Sequence, residues 1–206
     1  MKRLPVFVQL WVIALAVCAA AVALSFANVD VPIARHFWRV GRLPNPLSTA
    51  FGAAVILALE SAVALVLIIA RVVRGHISRF SEVLALACLA SICSYGINSE
   101  VLKPLFGVPI PAEVMQGASH VFNFMQGSEN SSFPSGHMVL AGAFGGVFMS
   151  LLRRSAWPLS ALLMLAAVLL VVGEWHFVSD VIAGTFVGIS AGMLAGEAWT
   201  AHSRTQ

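Results

Sequence analysis

Six long apolar stretches are the feature that most limits how this chain can fold. They cover residues 4–27, 49–70, 80–102, 135–152, 157–172 and 175–199. A helix needs about 20 mostly apolar residues to cross the hydrocarbon core of a bilayer. Within lipid, a helix satisfies all of its own backbone hydrogen bonds. The sequence therefore predicts an all-α integral membrane protein with six transmembrane helices.

The composition agrees with a membrane protein and excludes an ordinary soluble domain. Of the 206 residues, 59% are apolar and only 10% are charged. The net charge of +3 would suit a nucleic-acid partner, but the basic residues flank the apolar stretches, where they act as topology signals. We therefore expect membrane lipids and no nucleic acid as partners. Cys18, Cys88 and Cys93 lie inside apolar stretches without metal-ligand spacing, so we interpret them as packing residues.

The first apolar stretch resembles a signal peptide, because Lys2 and Arg3 precede it. Its length of about 22 residues exceeds the usual 7–15 of a signal-peptide core, so we expect a retained first span. Residues 28–48 are expected to leave the membrane, with Phe37 and Trp38 along the interface. Residues 103–134 form the longest polar interruption, and their prolines argue against a continuous helix. We expect an outer loop there, of a length that is often functional.

The basic residues also orient the six spans. One set of alternate ends carries Lys2, Arg3, Arg71, Arg74, Arg79, Arg153, Arg154 and Arg204. The other set carries Arg35, Arg39, Arg42 and Lys103. The richer set belongs inside. This predicts a multi-pass protein of a bacterial-type plasma (inner) membrane with both termini in the cytoplasm. It also places Lys103, His137, His176 and Asp180 together on the outer, periplasmic or extracellular, face.

Residues 131–137 read Ser-Ser-Phe-Pro-Ser-Gly-His and are the first candidate site. Pro134 suits the first turn of a helix, and Gly136 lets the backbone approach a ligand. Amide groups near Ser135, Gly136 and His137 are expected to point unpaired toward a phosphate, as helix N-termini do. His137 adds a proton donor to this anion site.

His176 and Asp180 form the second candidate site, at the start of the last apolar stretch. On a helix, residues four apart share a face. The pair predicts a nucleophile or base together with its orienting acid. Glu60 stands apart from both sites, in the middle of the second stretch. It is either a protonated or hydrogen-bonded packing residue, or a proton relay such as a transporter would use.

Together these residues resemble the type-2 phosphatidic acid phosphatase (PAP2) superfamily, which includes membrane lipid phosphatases, acid phosphatases, phosphotransferases and vanadium haloperoxidases. The family pattern begins with a lysine followed seven residues later by Arg-Pro, here Lys103 with Ile110-Pro111. Pro-Ser-Gly-His follows and is intact at residues 134–137. The last part is Ser-Arg, five residues, His, three residues and Asp. Here it is Leu169-Leu170, then His176 and Asp180.

The resemblance implies one six-span PAP2-like helical bundle over residues 1–206, and phosphoryl transfer without metal or cofactor on a phosphorylated lipid. His176 would attack phosphorus to form a phosphohistidine, Asp180 would hold its ring, and His137 would protonate the leaving oxygen. Lys103 and the donors of Ser135 and Gly136 would bind the phosphate oxygens.

Both arginines of the family pattern are absent, because Ile110 and Leu170 occupy their positions. The chain would then be a slow enzyme, an enzyme with a rebuilt pocket, or a binder without turnover. Arg35, Arg39 or Arg42 are candidates for a substitute clamp. We favour a rebuilt pocket in which the two aliphatic side chains pack together.

Three other functions remain open beside the phosphatase. A phosphotransferase would pass the group from His176 to an alcohol instead of water. A catalytically silent lipid-binding protein would keep the fold without turnover. A haloperoxidase is less favoured, because it would use the absent arginines to hold vanadate. Product analysis separates the phosphatase from the phosphotransferase.

Overall fold

The computed structural model of the protein describes residues 6–40 and 52–203, and within these ranges it is built from helices and turns without a β-strand. The α-helices are α1 (Val6–Asn28), α2 (Asp30–Val40), α3 (Ala53–Arg74), α4 (Arg79–Ile97), α5 (Lys103–Phe106), α6 (Pro111–Met115), α7 (Gly136–Leu151), α8 (Ala156–Val172) and α9 (Val178–Ser203). A π-helical turn, Asn98–Leu102, joins α4 to α5, and a 3-10 turn, Arg153–Ser155, precedes α8.

Among the residues that the structure describes, four helical segments are long and apolar enough to cross a membrane. They are Val8–Asn28, Ala53–Arg74, Arg79–Met115 and Val178–Ser203. Helices α7 and α8 are apolar but have only 16 and 17 residues, and a 16-residue helix is about 24 Å long. Several apolar helices of this kind are typical of a multi-pass membrane protein. The prediction of six spans is not confirmed, because α7 and α8 fall short of the usual length.

Helices α7 and α9 form the most extensive helix pair and make the centre of the bundle. Glycines four residues apart on α9 face the backbone of α7: a Cβ added at Gly184 would lie 2.5 Å from the Ser135 carbonyl oxygen, and one at Gly188 would lie 2.6 Å from that of Val139. Gly142 and Gly146 give α7 the same small surface. Small residues at this spacing let two membrane helices pack backbone to backbone.

The third predicted span ends later than expected. Helix α4 continues through the π-helical turn into α5, which ends at Phe106, where Gly107 has a positive φ of 60°. Lys103 and Pro104 are therefore helical, and the expectation of an outer loop starting at 103 is wrong. Pro104 lies at the start of α5, directly after the π-helical turn, in which the Lys103 N–H donates to the carbonyl oxygen of Asn98. The irregular chain begins at Gly107 and is interrupted only by α6.

The first part of the segment after the first span forms a second helix, Asp30–Val40. Helix α2 buries Asp30 and Ala34, while Arg35 and Arg39 are exposed and Trp38 is half-buried. Of the candidate clamp residues, Arg42 lies outside the described part of the chain.

Glu60 lies on α3 beside Ser91 of α4. The Ser91 hydroxyl donates to the carbonyl oxygen of Leu140 on α7 (3.0 Å). Glu60 therefore lies where α3 packs against α4.

Candidate active site

His176 and Asp180 approach each other, although not as two residues of one helix. Helix α9 begins at Val178, so His176 lies in the preceding turn, where Glu174 has a φ of 59°. The expectation that both residues stand on one helix is therefore wrong. Asp180 Oδ2 still lies 3.5 Å from His176 Nδ1, because the aspartate side chain reaches back past the start of its helix. His176 is 7% exposed and Asp180 is fully buried.

Two further donors hold the Asp180 carboxylate in place. The backbone N–H of Phe177 donates to Asp180 Oδ2 at 2.7 Å. This is one half of a capping box, in which a side chain in the first turn satisfies the amide just before the helix. The hydroxyl of Ser132 donates to the same oxygen, and Ser132 is fully buried. Ser132 was not singled out from the sequence, although it belongs to the polar run at 131–137.

Ser135 and Gly136 join the two helix starts. The Ser135 hydroxyl caps α7 by accepting from the N–H of Met138 (3.4 Å). The Ser135 N–H donates to the Asp180 carbonyl oxygen (3.0 Å). The expectation of an unpaired amide at Ser135 is therefore wrong. A Cβ at Gly136 would lie 2.9 Å from the Tyr95 ring, so this glycine also permits close packing on α4.

Pro134 is placed differently from the expectation as well. It precedes the Ser135 cap, and α7 begins only at Gly136. The Pro134 carbonyl oxygen accepts a hydrogen bond from the side chain of Asn98 (3.3 Å), which is fully buried in the π-helical turn. The polar end of the third span thus supports the turn that carries the Pro-Ser-Gly-His motif.

His137 faces His176 across the gap between the two helix starts. Their ring centroids are 5.7 Å apart with the planes at 71°. Trp175 also stacks on the His137 ring, with centroids 5.8 Å apart and planes at 28°. This contact of the tryptophan with the imidazole was not predicted from the sequence.

Lys103 reaches toward the same region from α5. Its Nζ donates to the carbonyl oxygen of Glu129 (2.8 Å), and the ammonium interacts electrostatically with Asp180. The structure thus gathers Lys103, Ser135, Gly136, His137, His176 and Asp180 around the starts of α7 and α9.

The two positions that lack arginine have different surroundings. Leu170 is 6% exposed and packs with Met138, Leu163 and Val181. Ile110 is half-buried just before α6, where its N–H donates to Glu113 Oε2 (3.1 Å). Among the described residues, the apolar cluster around Leu170 does not include Ile110. The expectation that these two side chains pack together is therefore not met.

A second carboxylate and a third histidine lie beside this site, and sequence analysis missed both. Asp30 is 1% exposed and accepts hydrogen bonds from Ser179, and His120 Nε2 lies 3.5 Å from Asp30 Oδ2. Burial raises the pKa of Asp30 above 3.8, although its hydrogen bonds with Ser179 act in the opposite direction. Burial lowers the pKa of His120 below 6.5, and the negative charges of Asp30 and Asp180 partly offset this.

A narrow crevice reaches His176 from the side of α2. Its lining includes Asp30, Pro111, Glu174, His176 and Phe177.

Within the described part of the chain, no group of three or more His, Cys, Asp or Glu side chains could hold a metal ion. The site brings together the imidazoles of His137 and His176, the buried carboxylate of Asp180 and the ammonium of Lys103. Groups of this kind suit proton transfer and nucleophilic attack.

Comparison with known proteins identifies the family. No individual curated protein and no solved structure matches the chain significantly. The family model described as "PAP2 superfamily" matches residues 83–202, which is more than half of the chain. The match spans Lys103, the Pro-Ser-Gly-His motif, His176 and Asp180, and it leaves out helices α1 to α3. The chain, with its apolar helices and its histidine-aspartate site, belongs to the PAP2 superfamily, whose members generally have phosphatase activity.

Proposed function

We propose that this protein is a membrane phosphatase that hydrolyses a phosphorylated lipid through a phosphohistidine on His176, without a metal. The observation that carries the proposal is the arrangement of His176 between the buried carboxylate of Asp180, 3.5 Å away, and the ring of His137. The three residues to which we assign the roles of nucleophile, orienting acid and proton donor all lie within the stretch that matches the family.

The first step is attack by the free nitrogen of His176. Because Nδ1 faces the Asp180 carboxylate, we infer that Nδ1 carries the proton and that Nε2 presents its lone pair to phosphorus. A bond forms between Nε2 and phosphorus, and the bond from phosphorus to the lipid oxygen breaks. His137 gives its proton to that departing oxygen. The Asp180 carboxylate stabilises the positive charge that develops on the His176 ring.

The second step returns the enzyme to its starting state. A water molecule gives a proton to His137 and attacks phosphorus, which breaks the bond to Nε2 and releases inorganic phosphate. In both steps negative charge grows on the phosphate oxygens. Lys103 and the amides at the start of α7, including that of Gly136, are the groups we assign to stabilise it.

A lipid substrate is favoured because the site lies at the ends of apolar helices. Lys103 lies within the helical segment Arg79–Met115, in the part that follows the apolar helix α4, so a phosphate at this level would belong to a molecule anchored in the bilayer interface. We propose further that this face is the outer one. Glu129→Cys, in a variant without the native cysteines, should react with an impermeant thiol reagent on intact cells, and Arg153→Cys should not. The reverse labelling would overturn the orientation.

A catalytically silent lipid-binding protein is the second candidate, and one observation favours it. Leu170 is enclosed by apolar side chains, so no guanidinium can grip the phosphate from this position. In that case the protein would bind phosphorylated lipids without releasing phosphate.

The direct test is a phosphate-release screen of the purified protein against lipid mono- and diphosphates, with a chelator present. We expect phosphate release that the chelator does not reduce. Transfer of phosphate to an added alcohol, detected by product analysis, would identify a phosphotransferase instead. Tight lipid-phosphate binding with no phosphate release and no transfer would favour the silent binder and contradict the enzyme.

A further inference from the structure

Asp30 makes a bidentate hydrogen-bonded contact with the helix that carries Asp180. The backbone N–H of Ser179 donates to Asp30 Oδ1 (3.0 Å), and the Ser179 hydroxyl donates to Asp30 Oδ2 (2.5 Å). The two residues are 149 positions apart in the sequence. Both are almost completely buried, so water does not compete for either contact. This contact ties the start of α2 to the first turn of α9.

His120 also lies beside Asp30. Its ring lies between Phe26 (centroids 4.0 Å apart) and Phe177 (4.4 Å). Its Nε2 is 3.5 Å from Asp30 Oδ2. Phe177 is the residue whose N–H binds Asp180, so His120 packs directly on the turn that leads into α9.

Two carboxylates therefore bind two backbone amides, two residues apart, at the same helix start. Asp180 accepts from Phe177, and Asp30 accepts from Ser179. Acidic groups are favourable at this end of a helix because its first amides have no partner within the helix. Ser179 directly precedes Asp180, so any rotation of this turn would also move the Asp180 side chain away from His176.

We propose that Asp30 is a positioning residue for the His176–Asp180 pair and acts through Ser179. The proposal rests on the function proposed above and concerns a residue outside the stretch that matches the family. Asp30 touches neither His176 nor the reacting phosphate in this account. It holds the first turn of α9 so that Asp180 stays opposite His176 Nδ1.

We attribute the positioning effect of Asp30 to its hydrogen bonds with Ser179 and not to its charge alone. His120 and Asp180 are the titratable groups that interact with it, and Glu174 and His176 line the same crevice. Asparagine has the same shape as aspartate and can accept from the Ser179 N–H while donating to the Ser179 hydroxyl. Alanine can do neither.

The experiment compares Asp30→Ala, Asp30→Asn and the control His36→Ala, an exposed residue of the same helix. We expect Asp30→Ala to lower kcat by about 10²-fold, the effect of a displacement near 1 Å in an active site, with little change in KM. Asp30→Asn should keep most of the wild-type kcat, and His36→Ala should match the wild type. Equal loss in Asp30→Asn and Asp30→Ala would overturn positioning by hydrogen bonds, and so would an unchanged kcat in Asp30→Ala.

Hydrogen exchange measured by mass spectrometry decides the proposal independently of activity. In Asp30→Ala we expect faster exchange confined to the peptide that contains Phe177 and Ser179, and in Asp30→Asn near wild-type exchange. Unchanged exchange in Asp30→Ala would overturn the positioning role. If the wild type releases no phosphate from any lipid phosphate, the proposed function fails, and the exchange result still decides whether Asp30 holds this turn.

Discussion

The backbone N–H of Ser135 donates a hydrogen bond to the carbonyl oxygen of Asp180, 3.0 Å away. This bond links the start of α7 to the start of α9 and brings His137 and His176 to the same place. Further along the two helices, the glycines of α9 lie against the backbone of α7. The geometry of the site therefore depends on how closely these two helices approach each other.

Gly188→Ala tests that dependence on close approach. A Cβ at Gly188 would lie 2.6 Å from the Val139 carbonyl oxygen, so the helices would have to separate. We expect a loss of stability of about 1–3 kcal/mol, as in other overpacked interiors, measured by thermal unfolding in detergent. Gly96→Ala is the control, because nothing lies within 4 Å of its added Cβ. A glycine in a helix costs about 0.5–1 kcal/mol relative to alanine, so the control should be slightly stabilising. A stable Gly188→Ala protein would contradict the account of the α7–α9 contact.

Lys103 is predicted to bind the phosphate rather than only mark the membrane edge. Lys103→Met should lower kcat/KM by roughly 10²–10³-fold, the range for removing one group that stabilises transition-state charge. Arg79→Met at the opposite end of the same helical segment removes an exposed basic residue and should leave kcat/KM unchanged. Equal, small effects of the two substitutions would show that Lys103 does not take part in binding.

Leu170→Arg tests whether the family's arginine can be restored. The side chain at 170 is enclosed by Met138, Leu163 and Val181, so a guanidinium there would be buried without a partner. We expect a clear loss of folded protein and no gain in phosphate release. Leu169→Arg is the matched control, because Leu169 is 53% exposed near the end of α8 and a long basic side chain can extend to the interface. Higher turnover in folded Leu170→Arg would show that the pocket still has room for the arginine.

His120 should make stability depend on pH. Its pKa is lowered in the folded state, so the unfolded chain binds more protons below about 6.5. The stability contribution is complete above pH 6.5 and is lost as the pH falls toward the lower folded-state pKa. Asp30 acts in the opposite sense: its pKa is raised, so its contribution is complete below 3.8 and is lost as the pH rises through the folded-state value.

His120→Phe separates these two effects, because phenylalanine can stack with Phe26 and Phe177 without titrating. The wild type should lose melting temperature as the pH falls below 6.5, and His120→Phe should lose less. Parallel melting curves for the two proteins across this range would contradict a neutral, buried His120.

The features that depend on local chemistry could be predicted from the sequence alone. The apolar stretches predicted helices, and the motif spacing brought Lys103, His137, His176 and Asp180 together. The sequence did not predict that the helix continues past Pro104, because proline usually indicates the end of a helix.

Contacts between distant segments could not be predicted from one sequence. Nothing near Asp30 in the chain indicates that it binds Ser179, because the bundle must form before the two meet. Ser132 was equally hidden, since its neighbours predicted an anion site but no contact with Asp180. The glycines at 184, 188, 192 and 196 were a readable signal, because their spacing of four residues marks one face of a helix.

The formation of a phosphohistidine on His176 is the central claim, and trapping it is its most direct test. The purified protein is mixed with a lipid phosphate carrying a labelled phosphoryl group, quenched with denaturant at alkaline pH, and mapped by mass spectrometry. We predict a label on His176 that acid removes, a much slower appearance of that label in Asp180→Asn, and neither label nor turnover in His176→Ala. The exposed His76→Ala should behave as the wild type. Phosphate release at the wild-type rate by His176→Ala would contradict the account.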